Sequence, residues 1–396
     1  MGKKVVLAYS GGLDTSCAIT WLSKKGFSVV AYMADVGQGG DFSVYRKRAL
    51  ATGASKVIIE DLKKEFVNDF VFRSLKANAL YESGYLLATA LSRPVIAKGL
   101  VKAAGKEGAE FIAHGCTGKG NDQVRFEVTA AALDPKLKII APVREWELKN
   151  RNQEIRYAKI NHIPIDATKK KPYSLDVNLW GISIEGGNLE NPDHEPPEDI
   201  YQITKSVDKA PKRPEYVDIS FEKGVPKKLN GKPLDGIALV LELQAMAGNH
   251  GIGRSDMIES RLVGIKSREI YEAPAAKVLY EAHKALEYLT LDRELLHFKE
   301  TVAVRYAELV YYGLWYAPLK DALDAFIDAT QRTVTGNVRV RLHKGSCVVV
   351  GRRSPYSLYR ESLATYGEGD EFDQSLAKGF IDLWGLPYRG SHKKKT

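Results

Sequence analysis

Val5-Val6-Leu7-Ala8-Tyr9-Ser10-Gly11-Gly12-Leu13-Asp14-Thr15-Ser16 decides the fold. The first five residues are apolar without alternation, as a strand buried on both faces requires. Helical spacing starts at Ser16 and runs to Lys25, so the stretch reads strand, tight turn, helix. Two glycines let the turn approach a ligand closely, while the helix directs free N–H groups and its positive dipole end to the same spot. Such a turn grips phosphate, with the hydroxyls of Ser10, Thr15 and Ser16 as further donors. The loop has no lysine and the chain has no GxxxxGK[ST], which argues against a P-loop NTPase.

The same rhythm continues outward. Val29–Met33, Val57–Ile59, Phe111–His114 and Ile139–Ala141 are further buried-strand runs, separated by helical patterns that include Leu86–Lys106 with Pro94 as a point of kinking. The fold class is therefore α/β, a doubly wound parallel sheet over the first 165 or so residues. Between Ile163 and Pro214 prolines forbid long regular elements and mark a junction. Beyond it an α+β unit is predicted: Tyr216–Phe221 and Leu239–Leu243 as strands, Pro274–Leu289 and Arg293–Tyr312 as helices, and a hairpin of Val338–Leu342 with Cys347–Val350 turning at Lys344-Gly345. Phe372–Leu383 has apolar residues at helical spacing. The expected division is 1–165, a nucleotide-binding domain; 166–369, a synthetase domain; and 370–396, a terminal helix with a basic tail.

Composition narrows the class. The chain's 396 residues, 44% of them hydrophobic, suffice for a sizeable core, and no run of about eighteen apolar residues is available to cross a membrane. Met1–Lys4 enters the first strand with no signal peptide, so the expected location is the cytoplasm. Cys17, Cys116 and Cys347 are three and widely spaced, which leaves neither a disulfide framework nor a zinc knuckle. Cys17 reads as packing on a buried helix face. The net charge of +9 favours anionic small molecules and, taken alone, would also suit RNA; the tail His392–Lys395 inflates it.

The heptad Ser10–Ser16 resembles the SGGxDS loop of the ATP pyrophosphatases, adenine nucleotide alpha hydrolase-like enzymes that release diphosphate and transfer AMP. Further stretches resemble the argininosuccinate synthetases among them: Tyr32–Gln38, Leu80–Pro94, the polar run His114–Glu127, and in the second half Pro172–Asp176, Gly181–Ser183, Met257–Arg261 and Lys266–Glu272. The run His114–Glu127 is too polar for a core element and follows a strand at the sheet's carboxyl edge, where ligands are held. Gly248–Arg254 also resembles that family and is assigned to structure. The resemblance implies a ligase that adenylates the ureido oxygen of citrulline with ATP and then joins the amine of aspartate, with Mg²⁺ on the phosphates. It carries ATP contact to Ala8, Tyr9, Ser10, Gly11, Gly12, Leu13, Asp14, Thr15, Ser16, Ala34 and Gly115. Aspartate falls to Thr117, Asn121 and Asp122, and citrulline to Tyr85, Thr89, Asn121, Arg125, Ser174, Ser183, Glu259 and Tyr271. At Ala90 the family often has serine, so the hydroxyl contact there passes to Thr89. No covalent nucleophile is needed, and the sequence assigns no metal ligands. The resemblance also implies a homotetramer linked by terminal helices, with no nucleic acid or membrane partner. The rival is a tRNA-thiolating adenylating enzyme, which the basic charge and Cys116 would suit; such enzymes need paired catalytic cysteines or an RNA module.

Overall fold

A computed structural model describes residues 2–164 and 173–391; the expected boundary at 165/166 and the basic tail at 392–395 lie outside them. The first half runs β1 (Lys4–Ala8), α1 (Leu13–Lys24), β2 (Ser28–Asp35), α2 (Phe42–Ala51), β3 (Lys56–Asp61), α3 (Lys63–Glu65), α4 (Phe72–Ala77), α5 (Ala88–Glu107), β4 (Phe111–Ala113), α6 (Asp122–Leu133), β5 (Lys138–Ile140), α7 (Pro142–Glu145) and α8 (Arg151–Ile160). Its five strands form one parallel sheet in the order β3-β2-β1-β4-β5.

The pleat sends alternate side chains to opposite faces. Val5, Leu7, Val29, Ala31 and Met33 pack under α1 with Cys17, Ala18, Trp21 and Leu22, while Val6, Val30 and Tyr32 pack under α5 with Leu91, Val95 and Leu100. Cys17 is fully buried, and burial pushes its thiol up to about 12. Helix α5 continues through Pro94.

The second half runs β6 (Ser174–Asn178), β7 (Gly181–Glu185), β8 (Glu215–Glu222), β9 (Val225–Leu229), β10 (Lys232–Pro233), α9 (Gly236–Asn249), β11 (Arg254–Ser260), β12 (Lys266–Glu272), α10 (Pro274–Thr290), α11 (Arg293–Tyr311), α12 (Pro318–Thr330), β13 (Gly336–His343), β14 (Ser346–Arg353), α13 (Glu361–Ala364) and α14 (Leu376–Trp384). Two antiparallel sheets result, β11-β12-β7-β6 and β10-β9-β8-β13-β14. The hairpin β13–β14 turns at Lys344 and Gly345, both at positive φ.

Leu239–Leu243 is helical, not the strand expected. Asp235 caps α9 by accepting from the N–H of Ala238, and Leu239, Val240, Leu243 and Ala247 recur at three-to-four spacing on its buried face. The apolar run seen alone fits a buried strand equally well, and its flanks decide. Helix α14 buries none of its side chains on this chain.

Candidate functional site

In the order β3-β2-β1-β4-β5 the strand sequence reverses between β1 and β4, so the loops leaving these two strands diverge and open a crevice at their carboxyl ends. The first of these loops is Ser10–Gly12. Gly11 sits at φ +80°, and a Cβ there would lie 2.6 Å from the ring of Tyr45. Ser10 Oγ accepts from the N–H of Gly12 at 3.3 Å and pairs with Thr15 Oγ1 at 3.1 Å, which closes the turn. Ser16 is fully buried and its hydroxyl meets that of Tyr9 at 3.2 Å. The second loop, 114–121, carries Gly115, where a Cβ would lie 2.8 Å from Thr15 Cγ2, so it touches the first turn of α1 just behind the first loop.

Two cavities flank this contact. One, of about 370 Å³, is bordered by Ala8, Tyr9, Ser10, Thr15, Ala34 and Gly115. The other, of about 390 Å³, brings together Asp14, Tyr85, Thr89, Thr117, Asn121, Asp122, Arg125, Ser174, Ser183, Glu259 and Tyr271. Arg93, Gly115, Cys116, Asp122, Leu175 and Asp176 border both and form their common wall. Gly11, Gly12, Leu13 and Ser16 border neither.

The second cavity is built on a buried polar network. Glu259 accepts from the hydroxyls of Tyr271 and Tyr311, each at 2.6 Å, and burial raises its pKa against these bonds. Asn121 donates to Tyr311 Oη at 2.7 Å and accepts from the N–H of Leu262 at 2.9 Å, which links the β4 loop to the hairpin of β11 and β12. Tyr85 stacks on Tyr271 at 4.2 Å, and its hydroxyl accepts from the N–H groups of Thr89 and Ala90. Thr89 Oγ1 lies 2.9 Å from Ser183 Oγ.

Arg125 and Asp122, assigned to different substrates from the sequence, are paired with each other at 2.9 Å, because three positions apart on α6 they share a face. Arg125 also donates to the carbonyl of Tyr311. Arg93 donates to Asp122 at 2.9 Å and to Asp176 at 2.6 Å. Burial works against the Asp122 carboxylate, yet Arg93 and Arg125 hold its pKa below the ordinary value. Arg261 bridges Glu185 and Glu269, each at 2.6 Å. Burial, then the neighbouring Glu185, pushes Glu269 up to about 8.

Sequence reasoning gave no role to Arg93, Asp176, Glu185, Arg261, Glu269 or Tyr311. Arg93 had a signal: it lies one helical turn beyond Thr89 on α5 and faces the same way. Tyr311 had none, since it reaches Asn121 from 190 residues away.

Comparison with known proteins gives matches along nearly the whole chain. A family described as "Arginosuccinate synthase N-terminal HUP domain" matches residues 4–164, and "Arginosuccinate synthase C-terminal domain" matches residues 173–390. The argininosuccinate synthase of Carboxydothermus hydrogenoformans is 56% identical, over 98% of this chain and 97% of its own length. That of Gloeobacter violaceus is 57% identical, over 98% of each. A solved structure of a predicted subunit of tRNA methyltransferase from Methanocaldococcus jannaschii aligns at a TM-score of 0.28 and 14% identity over 40% of this chain and 74% of its own, too low to bear on fold or function.

Proposed function

Because the chain belongs to the argininosuccinate synthase family, ligases that join citrulline to aspartate at the expense of ATP, we propose that its two adjoining cavities divide the substrates, ATP in the one bordered by Ser10 and Ala34, citrulline and aspartate in the other. The carrying observation is the common wall of Arg93, Gly115 and Asp122, where a ureido oxygen on one side can meet an α-phosphorus on the other.

A ureido oxygen is a poor leaving group. Its attack on the α-phosphorus expels diphosphate and leaves citrulline as an AMP ester. Attack of the aspartate amine on the ureido carbon then expels AMP, and the nitrogen loses its proton. No protein nucleophile is required, so the residues act by alignment and charge, and alignment alone is worth effective molarities of about 10⁵ M or more. Arg93 is the cation on the common wall. In this reading Thr117, Asn121 and Asp122 receive aspartate, while Asn121 also reaches citrulline, which Arg125, Ser174, Ser183, Glu259 and Tyr271 enclose, with Tyr85 and Thr89 fixing the helix start beneath it.

Among the described residues no group of three or more His, Cys, Asp or Glu could hold a metal by itself. The oxygen donors of the phosphate loop nevertheless suit Mg²⁺ carried in on ATP, with the Asp14 carboxylate and the Ser10 and Thr15 hydroxyls as the residues that would hold it. Bound there, the ion would neutralise phosphate charge.

A tRNA-thiolating activity finds no paired cysteines at the wall: Cys116 borders both cavities, but Cys17 is fully buried on the sheet-facing side of α1 and borders neither. We further infer a homotetramer from the bare apolar side of α14, and a cytoplasmic location from three unpaired cysteines together with the small-molecule substrates. Citrulline labelled with heavy oxygen in the ureido group tests the chemistry. The label must appear in AMP; label recovered in diphosphate or in water instead would refute the adenylate route.

A further inference from the structure

The loop 114–121 carries both a nucleotide contact, Gly115, and the aspartate contacts Thr117 and Asn121. It is glycine-rich and polar, and nothing in its own sequence would hold it in one shape. Asn121 anchors its far end to Tyr311 and Leu262; the rest is held from behind, by Gln123, Glu127 and Arg144, which border neither cavity. Gln123 Nε2 donates to the carbonyls of Gly118 at 2.6 Å and Gly120 at 3.2 Å. Gln123 Oε1 accepts from Arg144 Nη1 at 2.9 Å, and Arg144 Nη2 pairs with Glu127 Oε1 at 2.6 Å. Glu127 Oε1 in turn meets His114 Nε2 at 3.0 Å, and His114 Nδ1 faces the N–H of Cys116 at 3.2 Å. The chain of bonds closes on itself, beginning and ending in the loop.

Each member suits this task. Gln123 and Glu127 are one helical turn apart on α6 and face the same way. The planar fork of Arg144, from α7 beyond β5, engages both at once, which a lysine could not do. The Cys116 contact fixes the tautomer of His114: Nδ1 accepts, so Nε2 carries the proton and donates to Glu127. Gln123 and His114 are buried, so water does not compete for their bonds.

We infer that Gln123, Glu127 and Arg144 are positioning residues that clamp the 114–121 loop from behind and so set the spacing between its nucleotide contact and its aspartate contacts; this rests on the aspartate assignment made above. Of the citrulline contacts only Asn121 lies in the loop, the others being on α5, α6, β6, β7, β11 and β12 or before α5, so citrulline depends on the clamp far less than aspartate does, and Gly115 is wedged against Thr15 without it.

The decisive variant is Gln123→Glu. A glutamate keeps the acceptor for Arg144, and indeed makes it an ion pair, but sets an oxygen against the two loop carbonyls where an amide N–H stood. The α6–α7 link survives while the loop is released. Gln123→Glu should melt with the parent enzyme yet lose about 10²-fold in kcat/KM for aspartate, with KM for citrulline moved by no more than about twofold. Glu127→Gln, which keeps an acceptor for Arg144 and His114, should stay near the parent, whereas Glu127→Ala should follow Gln123→Glu. Unchanged kinetics for aspartate in Gln123→Glu, or equal losses for both amino acids, would overturn the clamp. Thr117→Ala is the separate control: an unaltered KM for aspartate there would remove the assignment on which the inference rests, whatever Gln123→Glu does.

Discussion

Arg93 on α5 and Asp176 on β6 form a 2.6 Å ion pair that fastens the long helix of the parallel sheet to the edge strand of the antiparallel sheet, over both cavities at once. The same guanidinium holds Asp122. Arg93→Ala should therefore slow adenylation by about 10²–10³-fold, the usual effect of deleting one donor aimed at developing charge. Arg93→Lys should recover only part of this, since an ammonium cannot fork between two carboxylates. Citrulline-dependent exchange of labelled diphosphate into ATP is the measurement, and parental exchange in Arg93→Ala would contradict the placement of the reacting atoms.

Ser10→Ala and Asp14→Ala should each depress the same exchange by at least about 10²-fold. Neither should lower the melting temperature appreciably. Ser10 is exposed, and the Asp14 carboxyl lies hydrogen-bonded beside that of Glu154, where burial and then the Asp14 charge push Glu154 up to about 8. Glu154 therefore holds its proton and donates it to Asp14, so Asp14→Ala forfeits one hydrogen bond and should melt within a few degrees of the parent. A sharp drop in melting temperature would mark Asp14 as structural.

Glu269 supplies a pH test. Its folded pKa of about 8 lies above the ordinary carboxylate value, so the native chain retains a proton that the unfolded chain releases. Its contribution to stability is complete below about pH 4.5 and is lost as pH rises through 8, at no more than about 1.4 kcal/mol per unit. Glu269→Gln cannot ionise. Its melting temperature relative to the parent should climb steadily between pH 5 and pH 8, and parallel curves would show that Glu269 is already charged across this range.

The signals that were legible in the sequence are local ones. Ser10–Ser16 could be read because strand, glycine turn and helix succeed one another within a dozen residues, and Thr117–Arg125 because a polar run has no business after a buried strand unless something binds there. Leu239–Leu243 misled because five apolar residues fit a buried strand as well as one turn of a helix that is apolar on nearly every side. The pairing of Asp122 with Arg93 could not be seen, because it depends on α5 and α6 lying side by side, whereas its pairing with Arg125 follows from their spacing of three on α6. Glu259 and Tyr311 meet only because the chain brings the last residue of α11 back to β11 from 52 residues away.

Helix α14 shows Leu376, Phe380, Ile381, Leu383 and Trp384 each at least 62% exposed. A side this apolar is covered by something in solution. Truncation after Gly369 should convert a tetramer to smaller particles in light scattering, with little change in the fold of the remainder. A truncated chain that still runs at the parental mass would place the assembly contacts elsewhere.

The absence of a side chain at Gly115 ties the fates of two distant stretches of sequence. Even a methyl group there would press within 2.8 Å of Thr15. A variant that enlarges Gly115 must displace the Thr15 side chain, whose hydroxyl pairs with Ser10 in the phosphate turn, so a change in one stretch is felt in the other. Reshaping either loop for a different ligand would therefore call for paired changes at positions a hundred residues apart in the chain.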